Sequence, residues 1–186
     1  MAKKVLIPVA KGTEEIEAIC MIDTLRRSGA EVTVASVETG LEVEASRGVK
    51  LTADCFITDC AQQTYDMILL PGGSLGAERL RDNGSLIDLL KKQKQDGRYY
   101  GAICAAPAVV LEHHGLLEGR RATAYPGFSD KLKNQEAVFD RVVVDQMCLT
   151  SRGPGTALEF AVRCVEALFG KDKADAIAGA LLMKGF

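Results

Sequence analysis

Several residue types that mark particular kinds of protein are scarce or missing in this chain. There is no tryptophan, and the only two histidines, His113 and His114, are adjacent in the sequence. A zinc site built from several histidines is therefore not expected. The six cysteines include no C-x-x-C pair and show no short, regular spacing, so neither a zinc ribbon nor a disulfide scaffold is expected. Reduced thiols in a cytoplasmic compartment fit this pattern best, with an organelle or the nucleus left open.

The chain also lacks a basic surface signal and a long apolar run. Its 23 lysines and arginines are dispersed and balanced by 25 acidic residues, which argues against a nucleic-acid partner. The apolar run at residues 5–9 is too short for a secretory segment or a membrane span, so we expect no leader and no membrane partner. No linker rich in Pro, Gly or Ser divides the chain, and one domain over residues 1–186 is predicted.

Short β-branched runs alternate with segments of helical periodicity, which predicts an α/β fold with a mainly parallel sheet. The predicted strands are 5–9, 31–37, 65–70, 99–103, 122–124, 142–144 and 148–151, and residues 41–51 resemble a hairpin at a sheet edge. The predicted helices are 14–28, 85–95, 156–169 and 172–183, with Gly29 and Gly170 as C-caps. In the first helix, Ile16 and Ile19 are among the apolar residues available for burial.

The stretch GAICAAP, residues 101–107, joins a predicted strand to a predicted helix with a cysteine at the junction. Ala102 and Ala106 flank Cys104 at two residues' distance, which matches the nucleophile elbow G-x-S-x-G, because only small side chains fit where a strand turns directly into a helix. The start of a helix favours a thiolate, so Cys104 is the candidate nucleophile. The alternative is that Cys104 is simply a small buried residue at a crowded corner.

Glu17 is the second candidate, because it lies near the start of the helix that follows the first strand. Its carboxyl group and the thiol should project from the same sheet edge, where open α/β sheets bind ligands. A protonated carboxyl group would donate a hydrogen bond to the sulfur and an ionised one would oppose the thiolate, so the pair should titrate together. The alternative is an ordinary acid at a helix N-terminus, as we expect Glu14 and Glu15 to be.

Two glycine-rich segments could complete such a site. Gly72 and Gly73 end a predicted strand, and their N–H groups, with that of Ala105, could stabilise an oxyanion. A lone P-G-G is a weak signal, since most such stretches are only turns. The segment TSRGPGT, residues 150–156, could line the same crevice or serve only as scaffold.

Taken together, these segments resemble the ThiJ/PfpI family, and specifically its DJ-one branch of Parkinson-associated redox and deglycase proteins. The matching stretches run in the family's order over almost the whole chain: AKGTEEIEA, LRRSGAEVTVASV, SRGVKL, YDMILLPGG, GAICAAP and TSRGPGTALEF. The resemblance implies a flavodoxin-like three-layer sandwich and a homodimer. It also implies that Cys104 is the reactive cysteine and Glu17 its partner acid, with the Gly73 and Ala105 amides nearby and no cofactor.

The resemblance comes with two departures. Family members with protease activity carry a histidine directly after the cysteine, whereas this chain has Ala105, so a peptidase is not expected. Several animal members carry a histidine where this chain has Tyr125, so either the Tyr125 hydroxyl assists proton transfer or Glu17 does all of it.

Two functions remain open on the sequence. The leading one is a glutathione-independent glyoxalase in which the Cys104 thiolate attacks methylglyoxal or glyoxal and Glu17 moves the protons, giving lactate or glycolate. Glycated protein side chains are further candidate substrates, which would make the protein a deglycase. The alternative is an oxidative-stress sensor or redox-regulated chaperone that uses the oxidation of Cys104.

Overall fold

The computed structural model describes residues 2–183 and confirms the α/β fold and the three-layer arrangement. The strands are β1 Lys4–Val9, β2 Glu31–Ser36, β3 Glu42–Glu44, β4 Lys50–Thr52, β5 Cys55–Phe56, β6 Met67–Leu70, β7 Tyr99–Ile103, β8 Val142–Asp145 and β9 Cys148–Ser151. Seven of them form one sheet in the order β5-β2-β1-β6-β7-β9-β8, in which only the β8–β9 pair is antiparallel. Residue 1 and residues 184–186, which the one-domain prediction includes, lie outside the described part.

Helices cover both faces of this sheet. They are α1 Glu15–Arg27, α2 Ser74–Arg81, α3 Gly84–Gln95, α4 Ala157–Phe169 and α5 Lys171–Ala180, with a π-helical segment at Pro107–Glu112. One apolar core contains side chains of α1, α4 and α5, and the other contains side chains of α2, α3 and the π-helical segment. The central strands β1 and β6 are buried almost throughout, because both of their faces meet a helical layer. None of the described helices has the length and apolar character needed to cross a bilayer.

The chain order of the sheet creates a crevice above its middle. From β1 the chain moves outward to β2 and later returns to the other side of β1 as β6. Parallel strands that diverge in this way leave a gap at their carboxyl ends, where α/β proteins bind ligands. The segments that follow β1, β6 and β7 therefore converge at one edge.

Some sequence predictions for the elements were wrong. Residues 122–124 form no strand, because the Thr123 N–H is donated to the Thr150 side chain at 3.0 Å and the Thr123 hydroxyl to the Val138 carbonyl at 2.9 Å. The hairpin of β3 and β4 is a separate two-stranded sheet and not an edge of the main one. The last helix ends at Ala180, before the predicted Met183. Helix α2 and the short strand β5 were not predicted.

Candidate active site

Cys104 occupies the turn between β7 and the π-helical segment, as the elbow pattern predicts. Its φ angle is 66°, in the left-handed region that residues with a side chain rarely adopt. Two backbone hydrogen bonds hold this conformation: the Cys104 N–H is donated to the Ser151 carbonyl at 3.0 Å, and the Cys104 carbonyl accepts the Tyr125 N–H at 2.8 Å. Ala102 and Ala106 are completely buried at the corner. The strained backbone directs the thiol into the crevice, where 9% of the residue is exposed.

Glu17 lies beside this thiol and is completely buried. Its Oε2 accepts the Gly72 N–H at 2.8 Å, whereas Oε1 has no hydrogen-bond partner among the described residues. Burial raises the pKa of the Glu17 carboxyl group to about 7, although the Gly72 N–H and the Cys104 thiol act to lower it. Both protonation states of Glu17 are therefore populated near neutral pH. An ordinary solvated acid at a helix N-terminus would not behave in this way.

The ionisation of the Glu17 carboxyl group and that of the Cys104 thiol depend on each other. Burial and the negative charge of an ionised Glu17 raise the pKa of Cys104 to about 12, against the Gly73 and Ala105 N–H groups, which lower it. The predicted preference for a thiolate at the start of a helix is thus outweighed in this buried corner. When Glu17 is ionised the thiol keeps its proton, and a protonated Glu17 removes the charge that opposes the thiolate. At rest the proton therefore stays on the sulfur, and the ionised Glu17 carboxylate is the group beside it that can accept this proton as the sulfur reacts.

The two glycines after β6 have different surroundings. The Gly72 N–H is already donated to Glu17, so it is not free to bind an oxyanion. The Gly73 and Ala105 N–H groups face the Cys104 sulfur instead. Gly73 has a φ of 84°, and a Cβ there would collide with the Gly12 carbonyl, so only glycine fits. A Cβ on Gly72 would lie 2.5 Å from the Cys104 Cβ and 2.7 Å from Glu17 Oε2, which shows how closely the two side chains meet across it.

We expect the substitution Gly72→Ala to destabilise the protein by about 1–3 kcal/mol, because the added methyl group must displace the backbone that carries Cys104. The free energy of unfolding in urea measures this effect. Gly84→Ala is the matched control: Gly84 begins α3, and a Cβ there meets nothing within 4 Å. That variant should be unchanged or slightly more stable. Equal stability of the two variants would contradict the close approach at Gly72.

The thiol opens into a cavity of about 550 Å³ at the crevice. Its wall includes Gly73, Cys104, Tyr125, Phe128 and Pro154, together with Ser46 and Arg47 from the turn between β3 and β4. Pro154 belongs to the segment TSRGPGT, so that segment lines the crevice. The predicted assignment of the β3–β4 hairpin to a sheet edge gave no indication that its turn would reach the thiol.

Glu15, which was predicted to be an ordinary acid at a helix N-terminus, is instead buried beside the cavity wall. It is only 7% exposed, and its carboxylate accepts the Ser46 hydroxyl at 2.8 Å and the Arg47 N–H at 2.8 Å. Burial acts to raise the Glu15 pKa, but hydrogen bonds, including those from Ser46 and Arg47, outweigh it and lower the pKa. Glu14 Oε2 lies 2.7 Å from the same Ser46 oxygen, so the two carboxylates share its one hydroxyl hydrogen. The two acids tie α1 to the β3–β4 turn and so shape the cavity wall.

Tyr125 lies at the cavity wall, 46% exposed. Its ring lies 3.2 Å from the position of a Cβ on Gly153, and Glu17 Oε1 lies 3.9 Å from that same position. The Tyr125 ring and the unpartnered oxygen of Glu17 therefore both lie close to Gly153. Among residues 2–183 no cluster of three or more His, Cys, Asp or Glu side chains is arranged to hold a metal ion.

The chain is similar to known proteins of one family. The model of the DJ-1/PfpI family matches residues 3–167. Arabidopsis thaliana protein DJ-1 homolog A is 50% identical over 184 residues, which are 98% of this chain but 47% of that protein, so the chain spans about half of that relative's length. A Caenorhabditis elegans protein named glutathione-independent glyoxalase DJR-1.2 is 36% identical over 175 residues, 93% of this chain and 91% of that protein.

A solved structure has the same fold. The structure of oxidised Toxoplasma gondii DJ-1 superposes with a TM-score of 0.96 at 50% sequence identity, and the match covers 98% of this chain and 100% of that one. The flavodoxin-like fold is thereby confirmed. Both the family model and relatives of similar length extend over nearly the whole described chain. This chain belongs to the DJ-1/PfpI family.

Proposed function

We propose that this protein is a cysteine-dependent, cofactor-free glyoxalase that converts methylglyoxal to lactate and glyoxal to glycolate. The observation that carries the proposal is the pairing of the Cys104 thiol, which lines the cavity and is 9% exposed, with a buried Glu17 whose pKa is raised to about 7. An acid with that pKa can both accept and return a proton at neutral pH. The name of the C. elegans relative supports the same reaction class.

The proposed reaction begins when the Cys104 sulfur attacks the aldehyde carbon and Glu17 takes the thiol proton. The Gly73 and Ala105 N–H groups would stabilise the resulting oxyanion, and Glu17 returns the proton to it, which gives a hemithioacetal. Removal of the C–H proton at this carbon gives an enediol, and protonation at the neighbouring carbon gives a thioester. Water then cleaves the thioester, which releases lactate and the free thiol.

The size of the cavity also bears on the substrate. At about 550 Å³ it is much larger than a three-carbon aldehyde requires, so an aldehyde already attached to a protein side chain could also reach Cys104. If the Cys104 sulfur displaces the side chain from such an adduct, the bond to the side chain breaks and the thiol proton leaves with the released group. The product is the same hemithioacetal, which goes on to the same thioester; this is the deglycase activity. Tyr125, at the cavity wall, is the candidate to assist in proton transfer.

The proposal is tested by incubating the protein with methylglyoxal in the absence of glutathione and measuring lactate per chain over time. Many lactate molecules per chain are expected. Less than one per chain, together with rapid addition of oxygen to Cys104 by peroxide in mass spectrometry, would support the alternative, in which Cys104 serves a sensor or redox-regulated chaperone.

We also propose that the protein is a homodimer and that α1 contributes to the interface. Ile16 and Ile19, predicted to be available for burial, are 52% and 46% exposed, and their spacing puts them on one face of the helix.

We expect Ile19→Glu to give a monomer in analytical ultracentrifugation, because a charge would replace apolar surface that the dimer buries. Phe139→Glu, at a loop residue that is 83% exposed, is the control and should leave the dimer intact. A wild-type monomer would contradict the proposal.

A further inference from the structure

Two cysteines far from Cys104 in sequence form a close pair at the edge of the sheet. Cys55 lies in β5, the edge strand, which pairs only with β2. Cys60 is the last residue of the 3-10 helix Ile57–Cys60 that follows β5 directly. Their sulfur atoms are 3.6 Å apart. No other two sulfur atoms in the described part of the chain make such a contact.

The two thiols differ in their access to solvent. Cys60 is completely buried and directs its sulfur toward the Phe56 carbonyl at 3.7 Å, whereas Cys55 is partly exposed on the edge strand. A small oxidant can therefore reach Cys55 but not Cys60. A disulfide bond is about 2.05 Å long, so the sulfur atoms need to approach each other by roughly 1.5 Å. Side-chain rotation on a short edge strand can supply such a movement without rearranging the sheet.

We propose that Cys55 and Cys60 are a site of reversible disulfide formation, in which hydrogen peroxide oxidises Cys55 and Cys60 resolves the product. The Cys55 sulfur attacks one peroxide oxygen, the O–O bond breaks, and sulfenic acid and water result. The Cys60 sulfur then attacks the Cys55 sulfur, the S–O bond breaks, and the departing oxygen leaves as water with the Cys60 proton. The net reaction of two thiols and one peroxide gives one disulfide and two waters.

Proximity decides which oxidation state Cys55 reaches. With Cys60 already at 3.6 Å, the resolving step is intramolecular, whereas oxidation to sulfinic acid needs a second peroxide from solution. Intramolecular attack between well-placed groups has a very high effective concentration. Oxidation therefore stops at the disulfide, which a thiol reductant reverses, and does not proceed to the irreversible sulfinic acid.

The charged groups around Cys55 favour an uncharged oxidant. Burial, the Cys60 thiol and the carboxylates of Asp59 and Asp54 raise the pKa of Cys55 to about 12. Asp54 is paired with Arg26 at 3.3 Å, so Asp59 is the carboxylate that disfavours the approach of an anionic oxidant such as glutathione disulfide, which leaves uncharged peroxide as the better reagent. Because little thiolate is present at neutral pH, the reaction should be slow there and faster at mildly alkaline pH.

Tyr65 gives the buried sulfur a proton donor. Among residues 2–183 its buried hydroxyl has no hydrogen-bond partner, and burial and the neighbouring Cys60 raise its pKa. An unpartnered buried hydroxyl is costly, and a sulfur that loses its proton is a partner for it. The hydroxyl can thus stabilise the Cys60 thiolate both when it attacks Cys55 and when the disulfide is reduced.

The experiment uses full-length Cys104→Ser protein, so that peroxide chemistry at the candidate active site does not contribute. After treatment with hydrogen peroxide at mildly alkaline pH, we expect two fewer thiols per chain to react with iodoacetamide. Digestion should yield one peptide that links Cys55 to Cys60 and is lighter by two hydrogen atoms. Dithiothreitol should restore both thiols. The wild-type chain should give the same linked peptide, which does not depend on the folding of any variant.

Two substitutions test the separate roles of the thiols. In Cys60→Ala, Cys55 should accumulate sulfenic acid, trapped by dimedone, and then sulfinic acid. In Cys20→Ser, which removes another half-buried thiol, the Cys55–Cys60 link should form as before. Sulfinic acid at Cys55 with Cys60 still free in the wild type would overturn the proposal. So would two intact thiols under conditions that oxidise Cys20. Neither result bears on the reaction proposed for Cys104.

Discussion

Replacing Cys104 with serine should reduce lactate formation from methylglyoxal by about a thousand-fold or more, since loss of a nucleophile removes the covalent route itself. A serine hydroxyl is a much weaker nucleophile than a thiol and is also less acidic, so its proton passes to Glu17 even less readily than the thiol proton does. Initial rates of lactate production at several methylglyoxal concentrations measure the effect. The loss should appear in kcat/KM, because the bond to sulfur forms at the start of the reaction.

The substitution is nearly isosteric, so the fold should survive it. Thermal unfolding of Cys104→Ser should resemble that of the wild type, which separates a chemical effect from a structural one. Cys20→Ser supplies a matched thiol control outside the cavity, on α1, and should keep the wild-type rate. Substantial lactate formation by Cys104→Ser would leave the protein without the proposed nucleophile and would move the reaction to another group.

The backbone at Cys104 explains why this corner could be predicted from the sequence. A strand that turns directly into a helix needs small residues on both sides of the turn, and Ala102 and Ala106 are the residues that meet this steric demand. The order of strands and helices could likewise be predicted, because buried β-branched runs and helical periodicity are local signals. The positive φ of Cys104 follows from the same geometry.

Other parts of the site depend on contacts between distant segments and have no local signal. Glu15 reads as a solvated helix acid, yet it is buried because the β3–β4 turn brings Ser46 and Arg47 onto it. Residues 122–124 have the composition of a strand, but the Thr123 N–H, which a ladder would need, is donated to the Thr150 hydroxyl. Helix α2 begins at Ser74 and its N-cap residue is Gly73, which has no side chain to cap it, so the sequence carries no start signal for this helix.

The exposure of Ile16 and Ile19 on α1 also could not be predicted from the sequence. Helical periodicity identifies Ile16 and Ile19 as apolar but does not say whether this chain or a second copy covers them. The core behind α1 is filled by other residues of the helix, such as Met21 and Leu25, which are completely buried. Which apolar side chains remain outside is decided by the position of α4 against α1, a property of the tertiary structure.

The substitution Glu17→Gln should separate thiol acidity from turnover, because the two should change in opposite directions. The glutamine removes the negative charge that raises the Cys104 pKa and keeps a side chain able to donate a hydrogen bond to the sulfur. The pKa of Cys104 should fall by about 1–3 pH units, the usual effect of removing a nearby like charge. Ultraviolet absorbance of the thiolate, with Cys104→Ser as the blank, measures it, and iodoacetamide should react faster at neutral pH.

Turnover should fall by about a hundred-fold to ten-thousand-fold in the same variant, the usual contribution of a general acid–base group. In the wild type, kcat/KM should rise with pH through about 7, because the ionised Glu17 is the form that accepts the thiol proton. This ionisation should be missing from the Glu17→Gln profile. Glu78→Gln, the same change at an exposed position on α2, should keep both the rate and the profile. A Glu17→Gln enzyme with normal turnover would show that a more reactive thiol is sufficient and would remove Glu17 from proton transfer.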